Sequence, residues 1–314
     1  MKREDILKEE VKDYRVLEIK NVSEISKKML ESGGFTAKSF GKAVDILTDM
    51  FKSDCIKFLS FPGCIVSTGL RGVIAELIEN GFVDVIITTC GTLDHDLARA
   101  WGGKYWHGSF EYDDASLKDI EINRLGNILV PNESYGIIIE EKMKEILTKI
   151  FKEKNIWSGF ELIQKIGETL NDKNSILYQC AKRKIPIFVP GITDGAFGTN
   201  LVWFSQENDF KLDLLEDEKE LAKISFTKKK TGALMIGGGI SKHHTIWWNQ
   251  FKGGLDFAVY ITTATQYDGS LSGARLEEAI SWGKISKNAK YTTIDGDATL
   301  ILPFLLKAVY ERIL

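Results

Sequence analysis

Apolar residues near the start of the chain recur at helical spacing. Ile25, Met29 and Leu30, then Phe40, Ala43, Val44, Ile46 and Leu47, predict two helices parted by Gly33-Gly34, so that residues 1–50 read as a helical extension. Beyond them the pattern changes to short unbroken apolar runs bounded by turn residues, as in strands buried on both faces. Cys55 to Ser60 predicts a strand, Phe61-Pro62-Gly63 a turn, Thr68 to Glu79 a helix stopped by Gly81, and Val83 to Thr88 a second strand. Further runs at Pro186 to Val189, Ala233 to Ile236, Phe257 to Ile261 and Tyr291 to Ile294 each lead into a loop rich in Gly, Asp or Thr. The expected fold is α/β, with a mostly parallel central sheet covered by helices on both faces across residues 51–314 and the N-terminal helices packed on it. It is Rossmann-like, although no GxGxxG follows any strand.

Composition fits an ordinary globular protein, with 44% hydrophobic and 27% charged residues among 314. A formal net charge of -3 argues against non-specific binding to nucleic acid or to anionic membranes and favours a basic or cationic partner. Cys55, Cys64, Cys90 and Cys180 show no CxxC spacing, which suggests reduced thiols in a cytoplasm. The opening segment is charged and amphipathic rather than a signal peptide, and no apolar run approaches the roughly 18 residues that span a bilayer. Lys228-Lys229-Lys230 reads as a solvated loop.

Ligands of open α/β sheets bind beyond the carboxyl ends of the strands. Here those ends carry Thr89-Cys90-Gly91-Thr92, Gly237-Gly238-Gly239, Thr262-Thr263-Ala264 and Asp295-Gly296-Asp297. Small residues let a backbone approach a bulky ligand and threonine hydroxyls offer uncharged hydrogen bonds, so a dinucleotide suits these mouths; each loop alone is equally a tight turn. Asp297 is either a ribose partner or the N-cap of the last helix, and Asp194 either a ligand contact or an Asx-turn residue. His95 either meets a ligand or caps a helix.

The segment Ser272 to Trp282 predicts a helix that Gly283 ends, so Lys284 leaves it in a fixed direction. An amine is nucleophilic only when unprotonated, and burial beside apolar surface favours that form. Asp268, Glu278 and Trp282 supply carboxylate and aromatic surface suited to a cationic polyamine, with Glu278 and Trp282 four residues apart on one helix face. The plainer alternative has solvated glutamates, a core tryptophan and a surface lysine. His243 and His244 cannot share one site if their segment is a strand. One of them suits proton transfer, and no ligand-spaced set makes either a metal site.

Taken together, Gly34-Phe35-Thr36-Ala37, Thr88 to Gly91, Arg124-Leu125-Gly126-Asn127, Val130-Pro131-Asn132-Glu133, Thr193-Asp194-Gly195, Gly237 to His244, Asp268-Gly269-Ser270, Ser272 to Arg275 and Ser281 to Lys284 resemble deoxyhypusine synthases in order along the chain. The resemblance implies a cytoplasmic homotetramer with active sites at subunit interfaces. It implies NAD-dependent transfer of the aminobutyl group of spermidine, through a lysine imine, to one lysine of the translation initiation factor 5A precursor. Lys284 would be the nucleophile and His243 a catalytic, substrate-contacting residue. Asp94, His95, Thr199, Asp268, Gly269, Ser270, Leu271, Glu278 and Trp282 would line the polyamine path. NAD would lie against Gly63, Cys64, Ile65, Val66, Ser67, Thr89, Cys90, Gly91, His95, Asp194, Gly238, Thr263, Ala264, Asp297 and Ala298. Arg3 to Tyr14 is similar in character to a family helix that covers a neighbour's entrance.

The chain also departs from the family's better-known eukaryotic pattern. That pattern has acidic residues where Thr199 and Leu271 stand, two glutamates at Asp94-His95 and Ser-Asn at Gly63-Cys64. Two carboxylates fewer around a multiply charged amine cost on the order of a few kcal/mol unless other groups compensate. Two further readings follow: aminobutyl transfer to a small amine such as putrescine, as in a homospermidine synthase, or non-catalytic binding of NAD or a polyamine.

Overall fold

The computed structural model describes residues 6–314. Asn21 accepts a hydrogen bond from the Glu24 amide and starts α1 (Val22–Ser32); Gly33, at φ 72°, ends it before α2 (Phe35–Lys52). A β-α-β unit follows as expected: β1 (Cys55–Phe61), a 3-10 turn over Gly63–Ser67, α3 (Leu70–Glu79), β2 (Val85–Thr88) and α4 (Cys90–Ala100). The chain then makes an antiparallel excursion through β3 (Trp106–His107), α5 (Asp114–Asp119), β4 (Ile122–Leu125) and β5 (Ile128–Pro131). Next come α6 (Gly136–Ile150), β6 (Ile156–Trp157), α7 (Gly159–Gly167), α8 (Ile176–Arg183) and β7 (Ile187–Phe188). The remainder is α9 (Ala196–Glu207), β8 (Lys211–Leu212), α10 (Leu214–Ser225), β9 (Lys230–Ile236), α11 (Ile240–Gln250), β10 (Leu255–Thr262), α12 (Leu276–Ser281), β11 (Ile285–Asp295) and α13 (Ala298–Ile313).

Six strands form one parallel sheet in the order β7-β2-β1-β9-β10-β11. Counted along the chain this is third, second, first, fourth, fifth, sixth, the doubly wound order of dinucleotide-binding folds. The order reverses between β1 and β9, which leaves a crevice beyond their carboxyl ends. Alternate residues of each strand enter different cores. Leu59, Leu234, Val259 and Ile261 pack with α2, α3 and α13, whereas Phe58, Ala233, Met235 and Tyr260 pack with Leu221, Ile246 and Leu276 from α10, α11 and the start of α12. Both faces are therefore apolar, which is why these strands read as unbroken runs.

The N-terminal helices are not a detached layer. Ala43, Val44, Ile46, Leu47 and Met50 of α2 belong to the first of these cores, and Arg312 of α13 ties α1 and α2 by donating to Ser23, Ser26 and Asp45. The helical reading of the first 50 residues needs one correction. Residues 6–15 form no helix and the 3-10 turn Val16–Glu18 is the only helical piece before α1 among the described residues, while Arg3 to Asp5 lie outside them. Ile6, Leu7 and Val11 are exposed, so no buried apolar face holds a helix there. Among the described residues no helix is long and apolar enough to cross a membrane.

Candidate functional site

The end of α12 fixes Lys284. Gly283 adopts φ 69°, its amide donates to Ile280 O at 3.0 Å and the Lys284 amide donates to Ala279 O at 3.0 Å. These two bonds form a Schellman ending, with Lys284 as the second residue past the cap. The Lys284 carbonyl in turn accepts from the Leu255 amide at 3.1 Å, at the start of β10. Helix end and sheet thus hold the backbone of this lysine from both sides.

Its side chain is 9% exposed. Nζ lies 3.4 Å from His243 Nε2 and sits 5.3 Å and 5.6 Å from the ring centroids of Trp282 and Trp247. His243 stacks on Trp247 one helical turn away, at 5.7 Å. Burial, then the positive charge of Lys284, lowers the His243 pKa, so the ring is neutral at neutral pH and has a nitrogen free to accept. A cavity of about 150 Å³ opens over this group and is lined by Lys284, His243, Leu271, Glu278 and Trp282, joined by Lys242. Trp282 is 67% exposed, so it forms the rim and not the core.

α12 is shorter than expected, starting at Leu276 and not at Ser272. Tyr260 and Thr262 donate to the Ser272 carbonyl and Lys242 donates to the Ala274 carbonyl, so those groups are unavailable for a first helical turn. Upstream, Asp268 accepts from the Ser270 amide at 2.7 Å, Gly269 has φ 72° and Ser270 Oγ accepts from the Gly273 amide. All three are exposed on this loop. The histidine pair lies on a helix, where successive residues diverge: His243 faces Lys284 and His244 turns to Glu218, 3.2 Å away.

At the crevice between β1 and β9 the loops touch. A Cβ on Gly63 would lie 2.4 Å from Gly91 C, and the Gly63 amide donates to Thr89 Oγ1 at 2.8 Å. Gly237 and Gly238 take φ 48° and 73° against Pro62, a backbone that favours glycine. Ile65, Val66 and Ser67 are buried in the turn and Cys64 is exposed. Arg99 of α4 donates to the carbonyls of Val66 and Thr68 at 2.8 Å and 2.7 Å, pinning this loop from below. Cys90 is buried, its thiol donating to Ile192 O while burial pushes its pKa up to about 12. On the other half, the Ala264 amide donates to Thr262 Oγ1 and Thr263 is exposed. Asp297 accepts from the Thr299 and Leu300 amides and caps α13 just before Ala298. Asp194 is an exposed turn residue whose amide donates to Gly191 O.

A model of the family described as deoxyhypusine synthase matches residues 24–309. A Thermoplasma volcanium protein named "Probable deoxyhypusine synthase" is 56% identical over 98% of this chain and 99% of its own length. A protein of the same name from Sulfurisphaera tokodaii is 54% identical over 97% of this chain and 98% of its own. The chain belongs to the deoxyhypusine synthase family. In fold it is similar to a crystal structure from Entamoeba histolytica that carries the same family name, with a TM-score of 0.68, 23% identity and coverage of 96% and 97% of the two chains.

Of the positions expected from deoxyhypusine synthases, Lys284, His243, Leu271, Glu278 and Trp282 come together on one cavity. Thr199 lies elsewhere, on a cavity of about 390 Å³ shared with Tyr135, Glu140 and Trp203. The Asp94 carboxylate is buried, accepting from the Ala196 and Phe197 amides and from Tyr135 Oη, and so holds the start of α9. His95 Nδ1 is 2.8 Å from Tyr105 Oη, and burial followed by the charge of Arg99 lowers its pKa to about 4. Trp247, Lys242 and Arg99 went unnoticed in the sequence. Trp247 had a legible signal, lying four residues beyond His243 on a helix; Arg99 meets its loop from about thirty residues away and had none.

Proposed function

We propose that this chain catalyses NAD-dependent transfer of the aminobutyl group of spermidine, by way of an imine on Lys284, to one lysine of the translation initiation factor 5A precursor. The observation that carries this reading is the enclosed Lys284 Nζ, set between two indoles and 3.4 Å from Nε2 of His243. Imine exchange needs an amine next to a group that moves protons, and this pair sets the two side by side. Glu278 and the indole faces of Trp282 and Trp247 suit the cationic end and methylenes of the aminobutyl unit.

The crevice between β1 and β9 fits a dinucleotide. What supports this is the reversal of strand order at the switch point and the glycine-rich loops that meet there, Gly63 packed on Gly91 and Gly237 and Gly238 at positive φ. Gly63 to Ser67, Thr89 to Gly91, Gly238, Thr263 and Ala264 would hold it, with Asp194, Asp297 and Ala298 at its margins. NAD held there would supply the hydride acceptor that oxidises the carbon bonded to the secondary amine, and the same hydride for reducing the final imine. Between those two events Lys284 would displace the departing diamine from the oxidised carbon, His243 would relay protons at Lys284 Nζ, and the acceptor lysine would displace Lys284 in turn. The chain's assembly into a homotetramer, with active sites between subunits, belongs to the same proposal.

The deciding experiment exposes the protein to spermidine and NAD, reduces with borohydride and maps the adduct by mass spectrometry. An aminobutyl group on Lys284, absent in Lys284→Ala, is the expected result; no adduct on wild-type Lys284 overturns the imine route. Supplying either the factor 5A precursor or putrescine identifies the acceptor, and transfer to putrescine alone replaces the protein acceptor with a small amine.

A further inference from the structure

The cavity over Lys284 has a second lysine in its wall. Lys242 precedes His243 on α11 and is 2% exposed, deeper than Lys284 itself. Burying an ammonium is costly, and a methionine would fill similar volume without that cost. The charge is put to use on the backbone. Lys242 Nζ donates to Ala274 O at 2.7 Å and lies 4.2 Å from the centroid of the Tyr260 ring. Tyr260 Oη donates to Ser272 O at 2.6 Å and Thr262 Oγ1 to the same atom at 3.1 Å.

Three donors from α11 and β10 therefore grip two carbonyls of one loop. That loop runs from Thr263 to Arg275, carries Leu271 and leads into α12, which brings Glu278 and Trp282 to the cavity. It is also closed on itself, since a Cβ on Gly273 would lie 2.0 Å from Thr265 O. The remaining hydrogen bonds of Asp268 and Ser270 stay within the loop, to Ser270 and Gly273. Lys242 is thus the link that ties this wall to the helix bearing His243.

We propose that Lys242 is a positioning residue for amine binding. By holding Ala274 it sets the gap between His243 on one side and the Leu271, Glu278 and Trp282 wall on the other. It acts through the backbone of that wall, and, after burial and the charge of Lys284, its own charge also helps to lower the His243 pKa. The inference rests on the proposed amine chemistry for its kinetic consequence, while the hold on the loop stands apart from it.

The test compares Lys242→Met with the wild-type full chain by hydrogen exchange, thermal melting and steady-state kinetics with spermidine. Losing a charge-assisted hydrogen bond predicts exchange about tenfold faster across residues 263–281, and a KM for spermidine raised about tenfold with kcat much less affected. Melting temperature stays level or rises, because the buried charge is gone. Unchanged exchange over 263–281 overturns the proposal. Faster exchange throughout the sheet with a lowered melting temperature also overturns it, since Lys242 then supports the fold at large. A looser loop with unaltered KM removes its role in amine binding. Should wild-type protein form no adduct on Lys284, the functional reading falls and exchange still decides the hold on the loop.

Discussion

Lys284 Nζ and His243 Nε2 stand 3.4 Å apart although 41 residues separate them in the chain. The pair joins the end of α12 to the first turn of α11, and the Schellman bonds at Gly283 determine where it forms. Removing the accepting nitrogen while leaving the lysine should slow imine exchange. His243→Ala is expected to lower the transfer rate by about 10² to 10⁴ with little change in NAD affinity, as read by single-turnover kinetics and cofactor titration. Because the His243 pKa lies below its usual value, wild-type activity should hold level near neutral pH and fall on the acid side as the ring gains a proton.

Gly283→Ala separates geometry from stability. At φ 69° an alanine costs about 1 kcal/mol, a small change for a chain of this size. A displacement of Lys284 by about 1 Å is enough to reduce turnover on the order of a hundredfold. Denaturant unfolding and kcat measured on the same preparation should show a mild loss in the first and a large one in the second.

Asp96 ties α4 to α3 and to the start of α8. Its carboxylate is fully buried and accepts from Arg71 Nε at 2.6 Å, Ser175 Oγ at 2.7 Å and the amides of Ile176 and Leu177. Asp96→Ala leaves the Arg71 guanidinium, itself 4% exposed, without this partner, and is expected to cost about 3 to 5 kcal/mol in urea unfolding. A loss below about 1 kcal/mol would show that Asp172, the other partner of Arg71 at 2.8 Å, holds the charge by itself.

Acid should weaken the fold through His95. Its folded pKa of about 4 lies below the ordinary histidine value of 6.5, so between those values the unfolded chain binds a proton that the native chain does not. Stability therefore falls as pH drops from about 6.5 to about 4, by at most about 3 kcal/mol from this group. Asp217, raised to about 6 by burial, acts in the opposite sense over much of that window, so the His95 part must be isolated by difference. The melting-temperature gap between wild type and His95→Phe should shift against the wild type as pH falls from 7 to 4; a gap constant with pH refutes the assignment.

The sheet was legible because both its faces are buried, so strands such as Leu255–Thr262 stand out as apolar runs between glycine-rich ends. The stop at Gly283 was legible too, and with it the fixed exit of Lys284. The antiparallel excursion was not: Trp106, Phe110, Tyr112 and Ile120 are exposed, so its apolar residues trace no inward face. The length of α12 was misread because its would-be first turn is held by Lys242, Tyr260 and Thr262, whose reach depends on the fold. Asp297 makes the capping bonds to α13 that its position in the sequence suggested, bonds that do not decide between that role and a ligand contact.

The Schellman ending has one further consequence. Position 284 is located by amides and carbonyls at Ile280, Ala279 and Leu255, none of which depends on the side chain that position carries. Position 283, by contrast, is confined by its φ to glycine or a strained substitute. Side chain and scaffold are therefore inherited separately: a single codon change at 284 yields a protein with the same crevice, the same aromatic rim and no amine at that place. On the proposed chemistry such a descendant would keep its ligands and lose its reaction, which makes a binding protein one substitution away from an enzyme of this architecture.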